Sequence, residues 1–224
     1  MAYAVKNILI NRIHDRAVMD CAARHFGGRL VDIGCGTKPY AKRLARFVRE
    51  HVGVDHARSP HGLAGADLVG SAYQIPADSD SFDCAICTAV IEHLEEPALA
   101  LAECHRVLRD GGIAVYTVPF IWHLHEEPRD FFRFSKYALQ YLFEKAGFEV
   151  VEIRALSGFF ITFSTLLSYY ICRLNRGPLR WLRIIDLMCL IIQFAGWGLD
   201  SLSRDDRYTW MYLVVARARK GQGQ

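Results

Sequence analysis

A glycine-rich turn and two carboxylates in the first quarter of the chain could bind a nucleoside. The apolar run Val31-Asp32-Ile33 leads into Gly34-Cys35-Gly36, and glycines after a strand let the backbone turn sharply and approach a ligand. Asp55 ends a second apolar run, where a carboxylate can accept hydrogen bonds from both ribose hydroxyls. Pro39 stands where a dinucleotide fingerprint has its third glycine, which disfavours a nicotinamide-dependent oxidoreductase.

A second group of reactive residue types lies between positions 119 and 134. Histidines, acids, arginines and aromatic rings are denser there than a simple connection requires. We take His125 as the first candidate for a general base or for positioning an acceptor, His123 as the second, and His93, which follows Glu92, as the third. The candidates for substrate binding are Phe120, Trp122, Asp130 and Arg133.

Structural roles remain open for the same loop. Asp130 and Arg133 could pair and hold the loop, and the two aromatic rings could belong to the core. His123, His125 and Glu126 are close in sequence, but nothing in their spacing fixes a ligand geometry, so we predict no metal site.

Helical and strand patterns alternate along the chain that carries these residues. Strands are predicted at 29–33, 51–55, 82–87, 113–118, 148–153 and 210–216, and helices at 3–26, 40–50, 97–108 and 135–146. This alternation is typical of a doubly wound α/β sheet. We expect one domain over 1–224, made of an N-terminal helix (1–28), a cofactor-binding core (29–156), an apolar helical insertion (157–205) and a final strand (206–219).

The insertion is predicted to hold two apolar helices, Phe159 to Ile171 and Ile184 to Leu199. Neither has the roughly 18–20 uninterrupted apolar residues of a spanning helix. The turn between them carries a tryptophan and four arginines, Arg173, Arg176, Arg180 and Arg183. This composition suits a membrane surface, and the alternative is a lid or a homodimer face through 159–203.

Charge and cysteine content bear on the partners and the compartment of the protein. Residues 1–150 carry 17 Lys and Arg against 19 Asp and Glu, so the part with the chemistry does not favour a nucleic-acid partner. The 7 cysteines are scattered among apolar positions, which indicates reduced thiols and a cytoplasmic protein, peripheral on the inner face of a membrane if the insertion meets lipid.

Five segments of the sequence resemble class I S-adenosylmethionine-dependent methyltransferases. They are 30–37, 53–55, 75–83, 90–94 and 106–112, in the order and spacing of that family. The resemblance covers about residues 28–156 and the last strand. It implies a Rossmann-like, seven-stranded, mostly parallel sheet with an antiparallel last strand and helices on both faces. It also implies S-adenosyl-L-methionine as the cofactor, with contacts from Asp32, Gly34, Cys35, Gly36, Asp55, Ser71 and Ala72.

The substrate loop is similar to that of a methyltransferase subgroup associated with cell-surface polysaccharide or small-metabolite pathways. Its pattern, Pro-Phe…His-x-x-Pro-x-Asp-x-x-Arg-Phe, is matched by Pro119, Phe120, His125, Pro128, Asp130, Arg133 and Phe134. The resemblance therefore implies methyl transfer to an oxygen or nitrogen of a small-molecule or glycan acceptor.

The sequence departs from the family at the adenine contact. The family places an aspartate five residues before Pro76, and this chain has Ser71 there, with Asp67 a weaker substitute. This difference keeps open the alternative of a non-catalytic or membrane-docked partner protein with the same fold.

Overall fold

The computed structural model describes residues 5–175 and 183–221 and shows a seven-stranded sheet. The strands are β1 Arg29–Ile33, β2 Glu50–Asp55, β3 Leu68–Val69, β4 Phe82–Thr88, β5 Leu108–Pro119, β6 Phe148–Ala155 and β7 Met211–Ala218. Their order in the sheet is β3-β2-β1-β4-β5-β7-β6. The sheet is mostly parallel with antiparallel pairing at the last strand, so the predicted fold class is confirmed.

In the described part of the chain, six α-helices accompany the strands. They are α1 Ile8–His25, α2 Ala41–Leu44, α3 Pro97–Val107, α4 Lys136–Lys145, α5 Phe159–Ile171 and α6 Ile184–Leu202. Pro97 opens α3, and the Ser135 hydroxyl accepts a hydrogen bond from the Ala138 amide as the N-cap of α4. Both predicted apolar helices are present before the last strand, as α5 and α6.

Parallel pairing brings the ends of the central strands to one edge of the sheet. Val31 of β1 lies opposite Val52 of β2 on one side and Ala85 of β4 on the other. Ile86 of β4 lies opposite Val115 of β5. Because these strands run in the same direction, the residues that follow them meet at their carboxyl ends, where such sheets bind ligands.

Two features of this fold differ from the prediction. The helix expected over 40–50 ends at Leu44, which is its one buried residue, since a helix this short depends on packing and the next strand begins at Glu50. The two-residue strand β3 was not predicted. Its pairing with Val54 and Asp55 is set by the neighbouring strand rather than by a pattern of its own.

The chain divides into two compact units. The first comprises Met1–Ala17, Phe120–His123 and Ala155–Met211, and the second comprises Val18–Pro119, Leu124–Arg154 and Tyr212–Gln224. In the second unit, α1, α2, β1 and β4 contribute to one hydrophobic core, which includes Val18, Leu30, Leu44 and Ile86. In the first unit, α5 packs on α6.

A buried carboxylate of α6 joins this helix to α5 in the first unit. Asp200 is 3% exposed, and its oxygens accept hydrogen bonds from the amides of Gly158 (3.0 Å) and Phe160 (3.1 Å) at the start of α5. These amides have no partner within the helix, so Asp200 acts as the N-cap that α5 lacks in its own sequence.

Candidate functional site

The glycine turn and Asp55 meet as predicted. Gly34 (φ +70°) and Gly36 (φ +50°) adopt the left-handed conformation, and a Cβ on Gly34 would lie 2.6 Å from Val90 Cγ2. The Gly36 amide donates a hydrogen bond to Asp55 Oδ2 at 2.8 Å. The structure therefore joins the ends of β1 and β2 through the two groups that the sequence predicted to share a ligand.

The two predicted carboxylates have different partners. Asp55 is 6% exposed, and its Oδ1 accepts a hydrogen bond from the His56 amide at 2.8 Å. A carboxylate has about four acceptor positions, so Asp55 can accept further hydrogen bonds from a ligand. Asp32 lies 2.9 Å from His51 Nε2, a partner that sequence reasoning missed because it comes from the neighbouring strand.

The loop between β2 and β3 packs on the glycine turn. A Cβ on Gly65 would collide with the Gly36 carbonyl oxygen, so only glycine permits this approach. Asp67 pairs with Lys38 and accepts a hydrogen bond from the Gly53 amide at 2.7 Å. The bond from Lys38 holds the pKa of Asp67 below its usual value. Asp67 is therefore part of the scaffold of the turn.

Cys35 and Ser71, two further predicted cofactor residues, have contrasting surroundings. Cys35 is 3% exposed, and burial raises the pKa of its thiol to about 12, so the side chain is a packing group. Ser71 is partly exposed beside Ala72, and its hydroxyl accepts a hydrogen bond from the Tyr73 amide at 3.3 Å. Ser71 also lines a cavity of about 670 Å³ with Gly70 and Gln74.

A buried carboxylate and two imidazoles form a cluster after β4. Glu92 is fully buried, and neither of its carboxylate oxygens has a hydrogen-bond partner. His93 Nε2 and His125 Nε2 each lie 3.8 Å from Glu92 Oε1, and the two rings meet edge to face at 4.8 Å. Sequence reasoning chose both histidines and missed Glu92, although Glu92 precedes His93 directly.

The surroundings of His125 raise its pKa. The main cause is the Glu92 carboxylate. Burial, the second cause, lowers the pKa, and the nearby Asp130 carboxylate, the third, raises it again. The distance of 3.8 Å between Glu92 Oε1 and His125 Nε2 is longer than an ordinary hydrogen bond. The Arg133 guanidinium, 3.4 Å from His125 Nδ1, works in the opposite direction.

Asp130 and Arg133 pair and hold the loop. Two nitrogens of the Arg133 guanidinium donate to the two Asp130 oxygens at 2.6 and 2.7 Å, and this bond holds the pKa of Asp130 well below its usual range. Asp130 also accepts a hydrogen bond from the His125 amide at 2.8 Å. Both residues thus position His125, which is the structural alternative raised from the sequence.

The remaining predicted residues of the loop belong to an aromatic cluster in the first unit. Trp122 packs between Tyr169 (5.1 Å between ring centroids) and Trp210 (5.7 Å), and His123 packs on Tyr169 at 4.5 Å. The Phe120 amide donates a hydrogen bond to the Trp210 carbonyl at 2.9 Å. These contacts tie residues 120–123 to α5 and to the residue that directly precedes β7.

Comparisons with known proteins agree with this geometry. Residues 31–116 match a family model described as "Methyltransferase domain". Residues 31–116 therefore form a methyltransferase domain of the class that the sequence resemblance implies. The matched segment runs from the glycine turn through β5, so it contains both predicted carboxylates and the Glu92-His93 pair of the methyltransferase domain.

Three similar proteins place this methyltransferase domain among its relatives. A ubiquinone biosynthesis O-methyltransferase of Alkalilimnicola ehrlichii is 26% identical over 146 residues, which cover 60% of this chain and 57% of the relative. The structure of a proposed methyltransferase from Bacillus halodurans superposes with a TM-score of 0.60 at 19% identity, over 92% of this chain and 100% of that one. Phosphoethanolamine N-methyltransferase 2 of Haemonchus contortus, in complex with phosphomonomethylethanolamine and S-adenosylhomocysteine, also gives 0.60 at 18% identity, over 92% and 53%.

The curated relatives are matched over part of their length. The chain spans about half the length, or less, of the curated relatives that it matches first, at 57%, 35% and 41%. The structural neighbours are below 25% identity, so they show the fold of the methyltransferase domain alone.

Proposed function

We propose that this protein transfers a methyl group from S-adenosyl-L-methionine to an oxygen or nitrogen atom of a small-molecule or glycan acceptor. The observation that carries the proposal is the hydrogen bond between the Gly36 amide and Asp55, which joins a glycine turn and a buried carboxylate at the carboxyl ends of two parallel strands. The family match supports methyl transfer. The O-methyltransferase relative supports an oxygen acceptor.

The residues present fit a nucleoside cofactor. The left-handed glycines remove the side chains that would fill the turn, and Asp55 has acceptor positions left for two ribose hydroxyls. Ser71 offers a hydroxyl and backbone groups to the base in place of the aspartate of the family, at the cost of one charge-assisted bond. The cofactor, when bound, supplies an electrophilic methyl group on a sulfonium.

We assign the proton transfer to His125. The cofactor would supply the methyl group, and His125 would accept the proton that the acceptor atom releases on methylation. Glu92 stabilises the resulting imidazolium because its carboxylate is buried 3.8 Å from His125 Nε2. Asp130 and Arg133 keep the loop, and hence His125, in place.

A two-histidine, one-carboxylate set also has the composition of a metal site, with its donor atoms within 4.8 Å of one another. We assign the cluster to proton transfer, a role that needs no metal ion. Turnover that survives prolonged treatment with a chelator would agree with this assignment.

Replacement of His125 by alanine tests the proposal. We expect turnover to fall by about 10²–10⁴, the usual range for a lost general base. Binding of S-adenosylhomocysteine, measured by calorimetry, should stay near that of the wild type because the contacts with Asp130 and Arg133 place His125 within its own loop. Transfer of a labelled methyl group to fractionated small molecules and glycans measures turnover and identifies the acceptor.

Three outcomes separate the alternatives. Cofactor binding without any labelled product would favour the non-catalytic partner protein. Turnover that stays within a few-fold of wild type in the His125 variant would limit the loop to a structural role. Binding of NAD in place of S-adenosylhomocysteine would overturn the cofactor assignment.

A further inference from the structure

The outer face of α6 is apolar and exposed. Leu187, Ile191, Phe194 and Trp197 follow one another at helical spacing and are 54–67% exposed. Among the described residues, α6 is the one helix long and apolar enough to cross a membrane by length and composition, and only 28% of that stretch is buried. A core helix of a globular protein would be mostly buried, so this face lacks a partner within the described chain.

The opposite face of α6 is committed to protein. Gln193 is 3% exposed, and its amide side chain bonds the Leu9 amide (3.2 Å) and the Val5 carbonyl (2.9 Å). Asp200, in the last turn of α6, caps the start of α5. A helix with a polar, protein-bound face and an apolar, exposed face is suited to lie in a membrane interface rather than to span the bilayer.

A cleft with a cationic rim lies between α1 and α6. It has a volume of about 390 Å³. Arg12 and Arg16, one turn apart on α1, are both exposed at its edge, and no acidic residue is among those that line it. Its apolar walls are formed by Ile8, Leu9, Ile13, Leu190, Phe194 and Trp197.

We propose that this cleft seats the phosphate headgroup of an anionic phospholipid, while the exposed face of α6 lies in the outer acyl layer of the membrane. The guanidinium groups of Arg12 and Arg16 match a phosphate in charge and in fork geometry. Their aliphatic stems lie along apolar walls while their charged ends reach the headgroups, and Trp197 has the amphipathic ring typical of that layer.

Charge favours a lipid over a second copy of the chain. A two-fold symmetric dimer brings each surface patch against itself. A dimer centred on this cleft would place the Arg12 and Arg16 pair of each copy near the same pair of the other, so like charges would face each other. An anionic leaflet provides the opposite charge.

The site differs from the one that the sequence predicted. Of the four arginines in the turn, Arg176 and Arg180 lie outside the described residues. Arg183 forms an ion pair with Asp186 at 3.1 Å. The cleft arginines come from α1, which no sequence argument connected with the apolar insertion.

Vesicle flotation tests the proposal. The wild type should float with vesicles of phosphatidylcholine and phosphatidylglycerol and remain at the bottom with pure phosphatidylcholine. The variant R12Q/R16Q should partition about tenfold or more weakly, since each arginine near an anionic surface contributes separately. The variant R43Q/R46Q removes the same charge from exposed positions in and just after α2 and should float as the wild type does. Circular dichroism confirms that each variant is folded.

A second measurement uses the wild-type fold. Trp197 fluorescence should shift to the blue with anionic vesicles and be quenched by brominated acyl chains, and W197F should lose most of this response. Equal flotation of R12Q/R16Q and wild type would overturn the headgroup site. A wild type that ignores anionic vesicles and sediments as a defined dimer, or one that resists alkaline extraction as a spanning protein does, would overturn the interfacial docking.

Discussion

At the scale of the residue, Glu92 controls the protonation of His125. The Glu92 carboxylate is the main cause that raises the pKa of His125, and a base must be neutral to accept a proton. The acidic limb of a kcat/KM profile should therefore lie above the ordinary histidine value of about 6.5. Glu92→Gln keeps the volume and removes the charge, so we expect the limb to move to lower pH, as measured by pH–rate profiles.

The matched control for this change is Glu126→Gln. Glu126 is 41% exposed in its side chain, its carboxylate lies 3.9 Å from His93, and it is not among the groups that shift the pKa of His125. The Glu126→Gln substitution should leave the acidic limb of the kcat/KM profile in place. If the limb of the Glu92 variant also stays in place, a group other than His125 sets the pH dependence.

At the scale of the element, Gly196 allows α5 and α6 to approach closely. A Cβ at Gly196 would lie 2.6 Å from Ser164 Cβ and 2.9 Å from the Phe160 carbonyl oxygen. Gly196→Ala should destabilise the protein by about 1–3 kcal/mol, the usual cost of overpacking. Thermal unfolding followed by circular dichroism measures this effect.

Gly198 provides the comparison on the same helix. A Cβ there would meet no atom within 4 Å. Gly198→Ala should be neutral or stabilise the helix by up to about 1 kcal/mol, because alanine has the higher helix propensity. Equal effects of the two substitutions would contradict the close packing of α5 and α6.

At the scale of the whole molecule, cofactor binding should appear as thermal stabilisation. A ligand at 100 times its Kd stabilises the state that binds it by about 2.7 kcal/mol. For a chain of 224 residues this raises Tm by about 5–11 °C. S-adenosylhomocysteine should produce this shift, and NAD at the same concentration should produce none.

Asp55→Ala tests the origin of that stabilisation. The variant loses charge-assisted bonds to the ribose worth about 1.5–3 kcal/mol each, so its affinity should fall at least tenfold. Its Tm shift at the same ligand concentration should shrink accordingly. An unchanged shift would remove the assignment of Asp55 to the ribose.

Local sequence patterns were enough to predict most of the elements of this protein and the meeting of its glycine turn with Asp55. Strand β1, the glycine turn and Asp55 were predictable because backbone conformation and strand ends leave local signals, namely apolar runs, glycines and a terminal acid. The apolar helices α5 and α6 were predictable for the same reason, since a helix of this length shows in composition.

Only the tertiary structure decided which side chains meet. His51 reaches Asp32, Glu92 faces His125, Asp200 caps a helix 40 residues away, and Arg12 shares a cleft with Phe194. Such pairs lie far apart in the chain, and no local pattern records them because their residue types would suit a solvated surface equally well. Burial changes their chemistry, because a buried carboxylate shifts the pKa of its neighbour more strongly than the same carboxylate on the surface would.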